Sequence, residues 1–291
     1  MSTLLLTVIF TAVGGVLSVL AAAIFLLLPE RQRQQALPHG ISFAIGALLT
    51  GAFCGLIPHA FEDVAPEDIS TLSATILAGI LGFFILEKLL IWRHCHSHAC
   101  EAHGEDSHDD HQHHNHGHGG DHGRRVAGMF IILGDSIHNF VDGVLIGAAF
   151  LTDAQLGIVT SLAVAAHEIP QEVGDFAILL HSGYSRGKAL FYNVLSSLST
   201  VIGGVLAYFS LGNLHHLLPY FLTLAASSFI YIAVADLIPS LHRKTDIKTS
   251  LQQIGFILAG VALILLMQNI AHRFEGRIES SNPVDLAMLK I

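Results

Sequence analysis

The sequence predicts an all-α, polytopic membrane protein with eight transmembrane helices and a metal site between the fourth and the fifth of them. Composition is the first reason: 52% of the 291 residues are hydrophobic and 13% are charged, against about 25% charged in soluble domains. The second reason is that apolar stretches of about 20 residues, enough to cross a bilayer core of about 30 Å, recur along the chain. The third is that two of these stretches carry ionisable residues near their middle, where they are rare.

Each apolar stretch is expected to form one helix of a single transmembrane domain that covers residues 1–291. The first stretch has no charged residue, is too long for a signal-peptide core, and has no small-residue cleavage site before Arg31. We therefore expect it to be a spanning helix. The connections are short with one exception, and the expected spans are residues 4–28, 41–61, 72–92, 126–151, 156–180, 189–211, 217–241 and 254–271.

Basic residues predict the orientation of these helices. Ten of the 14 Lys and Arg residues lie in the connections after the first, third, fifth and seventh helices. By the positive-inside rule that side faces the cytosol, so both termini are expected outside. Arg273, Arg277 and Lys290 near the C-terminus depart from this rule. We expect a multi-pass protein of the cell membrane, which is the inner membrane if the source is bacterial.

The one long connection, residues 94–123, contains 11 of the chain's 20 histidines and two of its three cysteines. Because it has few apolar residues to bury, we expect a disordered cytosolic loop within the domain. Weak sites on such a loop could collect or sense zinc, copper or nickel. The three cysteines predict no disulfide framework, and a net charge of −9 gives no basis for nucleic-acid binding. The expected loop ligands are His94, Cys95, His96, His98, Cys100, His103, His113, His114, His116 and His118.

A polar stripe runs along each of the two central helices. At about 100° per residue, four polar residues of the fourth helix fall within an arc of roughly 100°, and five of the fifth helix within roughly 140°. Ionised carboxylates cost about 2.5–3.5 kcal/mol each at a helix centre, so bound dications, protons or water are expected between the stripes. The stripes consist of Asp135, His138, Asn139 and Asp142, and of His167, Glu168, Gln171, Glu172 and Asp175.

The spacing and the kinds of side chain in these stripes favour a transition-metal site. Residues one turn apart, such as Glu168 and Glu172, can contact the same ion. Pro170 removes a backbone hydrogen bond and is expected to bend the fifth helix, which opens room for an ion. Imidazole, carboxylate and carboxamide together suit Zn²⁺ and neighbouring first-row ions better than Mg²⁺ or Ca²⁺. The expected metal ligands are His138, Asn139, Asp142, His167, Glu168, Gln171 and Glu172, with Asp135 and Asp175 as secondary candidates along the path.

Two further residues are candidates for the entrance and the exit of a path. His59 and Asp236 lie near the ends of the second and seventh helices, beside a Leu-Ile-Pro element that both helices share. Inverted halves of a transporter produce such matches, although this one is only three residues long. Interfacial polar residues near helix ends explain the pair equally well. Glu87 and Lys88 are expected at the cytosolic edge of the third helix.

Two motifs of the chain resemble the paired signature of the ZIP (Zrt/Irt-like) metal transporters. They read His138-Asn139-Phe140-Val141-Asp142-Gly143 and His167-Glu168-Ile169-Pro170-Gln171-Glu172. The most similar branch of that family has HEIPHE in its fifth helix. The resemblance extends to the eight spans, to both ends outside and to the His-rich loop after the third helix, so it covers essentially the whole chain.

The resemblance implies zinc uptake into the cytosol by alternating access through a two-metal site, with Fe²⁺, Mn²⁺ and Cd²⁺ as further candidate ions. It implies one centre formed by His138, Asp142, His167 and position 171, and another formed by Asn139, Glu168 and the shared Asp142. Position 171 is histidine in that branch, whereas the glutamine of this chain is a poorer ligand. The first centre is therefore expected to be weaker, shifted towards Glu172, or altered in metal preference. The expected partners are the lipid bilayer and divalent metal ions, with a homodimer as an option.

Two other classes of protein stay open at this point. A membrane-embedded di-metal enzyme would also place His and Glu one turn apart on facing helices. The chain has no HExxH motif and its fifth helix is interrupted by Pro170, so we expect no enzymatic activity. A metal sensor or store would instead use the His-rich loop, and deletion of residues 94–123 would abolish its function.

Overall fold

Eight long helices make up the computed structural model, which describes residues 2–62, 64–95, 120–241 and 247–280 and has no β-strand within those ranges. Each helix corresponds to one of the eight expected spans. The helices are α1 (Thr3–Phe25), α2 (Glu30–Phe61), α3 (Ile69–Cys95), α4 (Gly120–Thr152), α5 (Ala154–His181), α6 (Arg186–Leu211), α7 (His215–Leu241) and α8 (Ile247–Ser280).

Seven of these helices are long and apolar enough to cross a membrane, as judged by length and composition. α5 is not among the seven, because the polar stripe in its middle lowers its hydropathy. Its 28 residues nevertheless exceed the roughly 20 that a bilayer core requires. The predicted class, an all-α polytopic membrane protein, is confirmed.

The helices extend beyond their apolar stretches at several ends. α2 begins at Glu30 and continues through Pro38, and α8 runs from Ile247 to Ser280. Hydropathy marks the part of a helix that lies in lipid, whereas the helix itself ends where a capping group satisfies its free amides. Asp153 is such a cap, because its Oδ1 accepts a hydrogen bond of 2.9 Å from the Leu156 amide at the start of α5.

The bundle has a buried centre and a lipid-facing periphery. α4 packs along both α5 and α6, α2 packs along α5 and α8, and α3 packs against α7. In the apolar windows of α2 and α7, 61% and 50% of the residues are buried, against 11% in α3 and in α8. α3 and α8 therefore lie outside a centre to which α2, α4, α5 and α7 contribute.

One end of this centre is closed by packed apolar side chains, which we call the apolar plug. Leu56 of α2, Leu145 of α4, Leu156 of α5 and Phe229 of α7 belong to it, and all four are almost completely buried. In α4 the plug residues follow the polar stripe, and in the antiparallel α5 they precede it. The plug therefore lies on one side of the stripes.

α2 and α7 share a local irregularity. Gly51–Leu56 and Ile232–Leu237 are both π-helical, and in each helix Ile-Pro follows at once. Proline crowds the carbonyl one turn before it and donates no hydrogen bond, and the wider π-turn relieves this crowding. The Cys54 carbonyl, four residues before Pro58, accepts a hydrogen bond of 3.1 Å from Gln268 Nε2 of α8. The Leu-Ile-Pro match thus marks the same structural feature in two helices.

Candidate metal centre

α4 and α5 lie side by side and bring their polar stripes together in the middle of the bundle. α5 stays helical through Pro170, so the one-turn spacing of its ligand candidates is kept. Two groups of potential metal ligands result, and they share Glu168.

The first group, which we call the imidazole cluster, consists of His138, Asp142, His167 and Glu168, with ligand atoms within 4.8 Å of one another. His167 Nε2 lies 3.2 Å from Asp142 Oδ2 and 3.6 Å from Glu168 Oε1. His138 Nε2 lies 3.5 Å from Asp142 Oδ2 and 3.3 Å from Glu168 Oε1. Two imidazoles and two carboxylates that converge in this way form a four-ligand set of the kind that Zn²⁺ prefers.

Burial and orientation add to the case for the imidazole cluster. Asp142 and Glu168 are completely buried, whereas 23% of the His138 side chain is exposed. His167 Nδ1 lies 3.2 Å from the Ala163 carbonyl; donation to that oxygen leaves Nε2 free to bind an ion. Apart from these two imidazoles, the carboxylate oxygens of Asp142 and Glu168 have no polar partner at hydrogen-bond distance among the described residues. Buried carboxylates in this arrangement suit a cation, because desolvated charge is costly unless it is compensated.

The second group, which we call the carboxylate cluster, consists of Asp135, Glu168 and Glu172, again with ligand atoms within 4.8 Å of one another. Asp135 lies one turn before Asn139 in α4, and Glu172 lies one turn after Glu168 in α5. Glu172 is completely buried, and neither of its carboxylate oxygens has a hydrogen-bond partner in the described part of the chain. This cluster contains oxygen ligands only.

Asn139 lies between these groups and α6, and both the nitrogen and the oxygen of its carboxamide form hydrogen bonds. Its Nδ2 donates to Asp135 Oδ1 at 2.9 Å and to the Asp135 carbonyl at 3.1 Å. Its Oδ1 accepts a hydrogen bond of 2.8 Å from the Thr200 hydroxyl of α6. The structure thus joins Asn139 to Asp135, whereas the resemblance implies a centre of Asn139, Glu168 and Asp142.

A cavity of about 340 Å³ adjoins both clusters on the side opposite the apolar plug. α3, α4, α5 and α7 all contribute to its wall. Among its polar lining residues are Glu87, Asp135, His138, Gln171, Asp175, Ser228, Tyr231 and Asp236. An ion in either cluster therefore lies beside a cavity that has these polar side chains, together with apolar ones, in its wall towards the ends of α3, α5 and α7.

The remaining site candidates whose positions are described lie in three places. Gln171, Asp175 and Asp236 line the cavity beside the clusters. His59 lies on the opposite side, in a separate pocket of about 200 Å³ with Cys54, and its Nδ1 is 2.9 Å from the Gly55 carbonyl. The backbone of His94 and Cys95 ends α3, and no side-chain position is described for them. The other expected loop ligands, between residues 96 and 118, lie outside the described residues.

Sequence reasoning missed three residues around the site. Thr200 holds Asn139 from α6, but an isolated threonine in an apolar helix gives no signal of such a contact. Tyr231 of α7 donates a hydrogen bond to Glu87 of α3, and both residues line the cavity. Glu87 was expected at a cytosolic edge, and the structure adds that it is part of the cavity wall. Only the packing of α3 on α7 brings these two residues together.

Comparisons with known proteins agree with the geometry. A protein-family model described as ZIP zinc transporter matches residues 1–268. The chain is 30% identical over 242 residues to zinc transporter ZIP13 of Pongo abelii, covering 78% of this chain and 65% of that protein. It is 34% identical over 299 residues to zinc transporter SLC39A7 of Mus musculus, covering 79% of this chain and 62% of that protein. For zinc transporter ZIP4 of Homo sapiens the identity is 29% over 277 residues, covering 78% and 42%.

Proposed function

Because the chain belongs to the ZIP zinc transporter family, we propose that it transports divalent transition-metal ions, and zinc foremost, across a membrane. The observation that carries this proposal is the imidazole cluster, where ligands from α4 and α5 converge and where, among the described residues, the carboxylates have no partner other than the two imidazoles. The three relatives compared above are all named zinc transporters, which supports zinc as the cargo. Fe²⁺, Mn²⁺ and Cd²⁺ are further candidate ions, because imidazole and carboxylate ligands bind several divalent metals and not zinc alone.

The cavity and the plug together support alternating access. The imidazole cluster lies between the polar cavity and packed side chains such as Leu56 and Phe229. A hydrated ion cannot pass an apolar barrier of this kind, because its desolvation is not compensated there. This conformation is therefore open on one side. Transport requires a second conformation in which the plug separates and the cavity closes.

By the positive-inside rule, the basic residues after α3, α5 and α7 support an orientation in which the cavity side faces the cytosol and both termini lie outside. An ion then enters past His59, is held between α4 and α5, and leaves past Asp236 towards the His-rich loop. Imidazoles and carboxylates take up protons as the ion departs, since they bind metal in their deprotonated forms. The location follows as a multi-pass protein of the cell membrane.

Two alternative functions make different predictions. A di-metal enzyme would use an activated water in the cavity and turn over a substrate. A sensor or store would depend on the His-rich loop. Deletion of residues 94–123 should leave transport measurable if α4 and α5 carry the function, whereas a sensor or store would lose its function.

Metal uptake into liposomes tests the proposal directly. The full chain is reconstituted, and zinc entry is followed with an enclosed fluorescent indicator. We expect His138→Ala and Glu168→Ala each to lower the uptake rate by at least about tenfold, the scale on which metal sites respond to ligand loss. His181→Ala is the matched control, because this exposed histidine ends α5 away from both clusters and should leave uptake unchanged. Equal uptake by all four proteins would remove the site assignment.

A further inference from the structure

One buried hydroxyl in the cavity wall has no hydrogen-bond partner in the described part of the chain. Ser228 of α7 is 1% exposed and lines the cavity, as His138 does, and its Oγ is the unpartnered atom. A hydroxyl inside a helix usually donates to the carbonyl one turn before it. Ser42, Thr50 and Ser161 do so at 2.7 Å. A buried hydroxyl that makes no such bond destabilises the fold unless something in the cavity binds it.

The neighbouring serine shows the usual arrangement. Ser227 is completely buried, and its Oγ lies 2.7 Å from the Thr223 carbonyl and 3.0 Å from the Ile76 carbonyl of α3. Its hydrogen is therefore shared by two acceptors in the protein. Two adjacent serines of α7 thus differ: Ser227 binds within the bundle, whereas Ser228 lies in the wall of the cavity.

Ser228 lies where the apolar plug meets the cavity. It is the first residue of α7 in the cavity wall, and the next residue, Phe229, belongs to the plug. The Phe229 ring lies 6.3 Å from the His167 ring, measured between their centroids. α7 also packs against α4, which carries His138. The unpartnered hydroxyl is therefore on the cavity side of the imidazole cluster.

A divalent ion that leaves the imidazole cluster exchanges protein ligands for water. Water bound to a dication is a strong hydrogen-bond donor, because the ion polarises it. A serine oxygen can accept such a bond. Hydrogen bonds through an ordered water stabilise nearly as well as direct ones. A hydroxyl beside the cluster is thus suited to the hydration shell of the ion and not to the ion itself.

We propose that Ser228 accepts a hydrogen bond from a water molecule bound to the divalent ion on the cavity side of the imidazole cluster. The inference rests on the proposed function, because the ion is the cargo. Both ligand clusters come from α4 and α5, so Ser228 is a positioning residue from a third helix. It strengthens ion binding in the conformation whose cavity is open, and thereby slows release.

The zinc-dependent rise in the unfolding temperature tests this contact in the detergent-solubilised full chain. The temperature is measured with excess chelator and then at a series of buffered free zinc concentrations, which gives the zinc affinity. An ion that binds only the folded bundle stabilises it, whereas an ion that binds folded and unfolded chain equally does not. The measurement therefore reports on the bundle even though residues 94–123 contain 11 histidines.

The expected result is opposite behaviour of two neighbouring variants. Ser228→Ala should lower zinc affinity about fivefold, the scale of one hydrogen bond, and should not lower the unfolding temperature of the ion-free protein. Ser227→Ala is the matched control: the ion-free protein should unfold at a lower temperature, and its zinc affinity should stay unchanged. Wild-type zinc affinity in Ser228→Ala would overturn the proposal. An equal loss of zinc affinity in both variants would overturn it as well, because it would indicate a general effect of packing in α7.

A second control concerns unpartnered hydroxyls in general. Thr160 of α5 lies two turns before His167 towards the plug, is completely buried, and has no hydrogen-bond partner among the residues that the structure describes. Thr160→Val keeps the shape of the side chain, removes the hydroxyl, and should leave zinc affinity unchanged. If Thr160→Val and Ser228→Ala weakened zinc binding equally, the effect would not come from a contact in the cavity.

His167→Ala separates this inference from the proposed function. We expect zinc to stabilise the wild type and to lose most of this effect in His167→Ala. If zinc stabilised both proteins equally, the site between α4 and α5 and the proposed function would fail. If His167→Ala lost the zinc effect while Ser228→Ala kept wild-type zinc affinity, only the Ser228 contact would fail.

Discussion

Gln171 lines the cavity beside His138 and Asp135, one turn from His167 along α5. A carboxamide is a neutral and weak metal ligand, whereas an imidazole at the same place would add a third nitrogen to the site. We therefore expect the glutamine to weaken the binding of an ion beside the cavity. For a transporter this is useful, because an ion that binds too tightly leaves slowly.

Replacement of Gln171 by histidine tests this interpretation. We expect Gln171→His to raise Zn²⁺ affinity by about tenfold and to lower the maximal rate of zinc uptake, since release then limits the cycle. Affinity is measured by chelator competition and the rate by liposome uptake at saturating zinc.

The control for this substitution is Gln252→His, which places a histidine on the exposed face of α8. It should change neither quantity. Faster uptake in Gln171→His, or an unchanged zinc affinity, would show that the side chain at position 171 does not contact the ion.

The structure brings together most of the ligand candidates that the local pattern indicates, and their role as metal ligands stays a prediction. One-turn spacing and a position inside apolar helices can both be recognised in the sequence. These two features identify His138, Asp142, His167 and Glu168, which form one cluster in the structure. The pattern placed Asp135 among the secondary candidates, although it lies in a cluster with Glu168 and Glu172. Helical spacing gives the face of a side chain but not its neighbour on another helix.

At the scale of the elements, the contact of α4 with α6 depends on glycine. A Cβ at Gly143 would overlap the Thr200 carbonyl oxygen, and a Cβ at Gly203 would overlap the Phe140 carbonyl oxygen. The two backbones approach so closely that neither position has room for a side chain. This approach is what brings the Thr200 hydroxyl within reach of Asn139.

Gly143→Ala should therefore push α6 away from α4. We expect a loss of roughly 1–3 kcal/mol in the free energy of unfolding, typical of overpacking, together with weaker Zn²⁺ binding because the hydrogen bond from Thr200 to Asn139 is broken. Denaturant unfolding and chelator competition for Zn²⁺ measure the two effects.

The matching control is Gly82→Ala in α3, where an added Cβ meets nothing within 4 Å. It should leave both quantities close to wild type. If Gly143→Ala behaved like this control, the close approach of α4 and α6 would not be needed for the site.

At the scale of the whole molecule, the bundle is open on one side and closed on the other. The polar cavity lies towards the ends of α3, α5 and α7, and the apolar plug lies towards the end of α2 and the start of α5. A separate pocket with His59 and Gln155 lies beyond the plug. The two pockets should therefore be accessible from opposite faces of the membrane.

Cysteine labelling checks this arrangement. In a background with Cys54, Cys95 and Cys100 replaced by alanine, Asp236→Cys should react with a membrane-impermeant maleimide from one face only. Gln155→Cys should react from the other face, because the plug separates the two pockets. The positive-inside rule predicts that Asp236→Cys reacts from the cytosolic face.

Oriented vesicles with the reagent on one side at a time provide the measurement. Leu258→Cys on the outward surface of α8, inside the expected span 254–271, is the control for reagent that partitions into the bilayer, and it should not react from either face. Reaction of both pocket cysteines from the same face would contradict the arrangement of cavity and plug.

The Leu-Ile-Pro element shows how a weak signal gains meaning in three dimensions. Three identical residues in α2 and α7 carry little information along the chain. In the structure both copies follow a π-helical segment of six residues, Gly51–Leu56 and Ile232–Leu237. The match reflects a shared need to accommodate proline, and it supports a relation between the two halves of the bundle.

The sequence by itself determined the membrane class, the eight helices and the set of residues able to bind a metal. These are local properties: the length of an apolar stretch and the one-turn spacing of polar residues do not depend on distant parts of the chain. Only the tertiary structure decided which carboxylates share a cluster, that Asn139 is held by Thr200, and which side the plug closes. Those features arise from helices that meet across the bundle, such as α4 and α6, whose contacting residues lie 61 positions apart. Close packing selects such partners by shape, and shape is not readable from spacing along one helix.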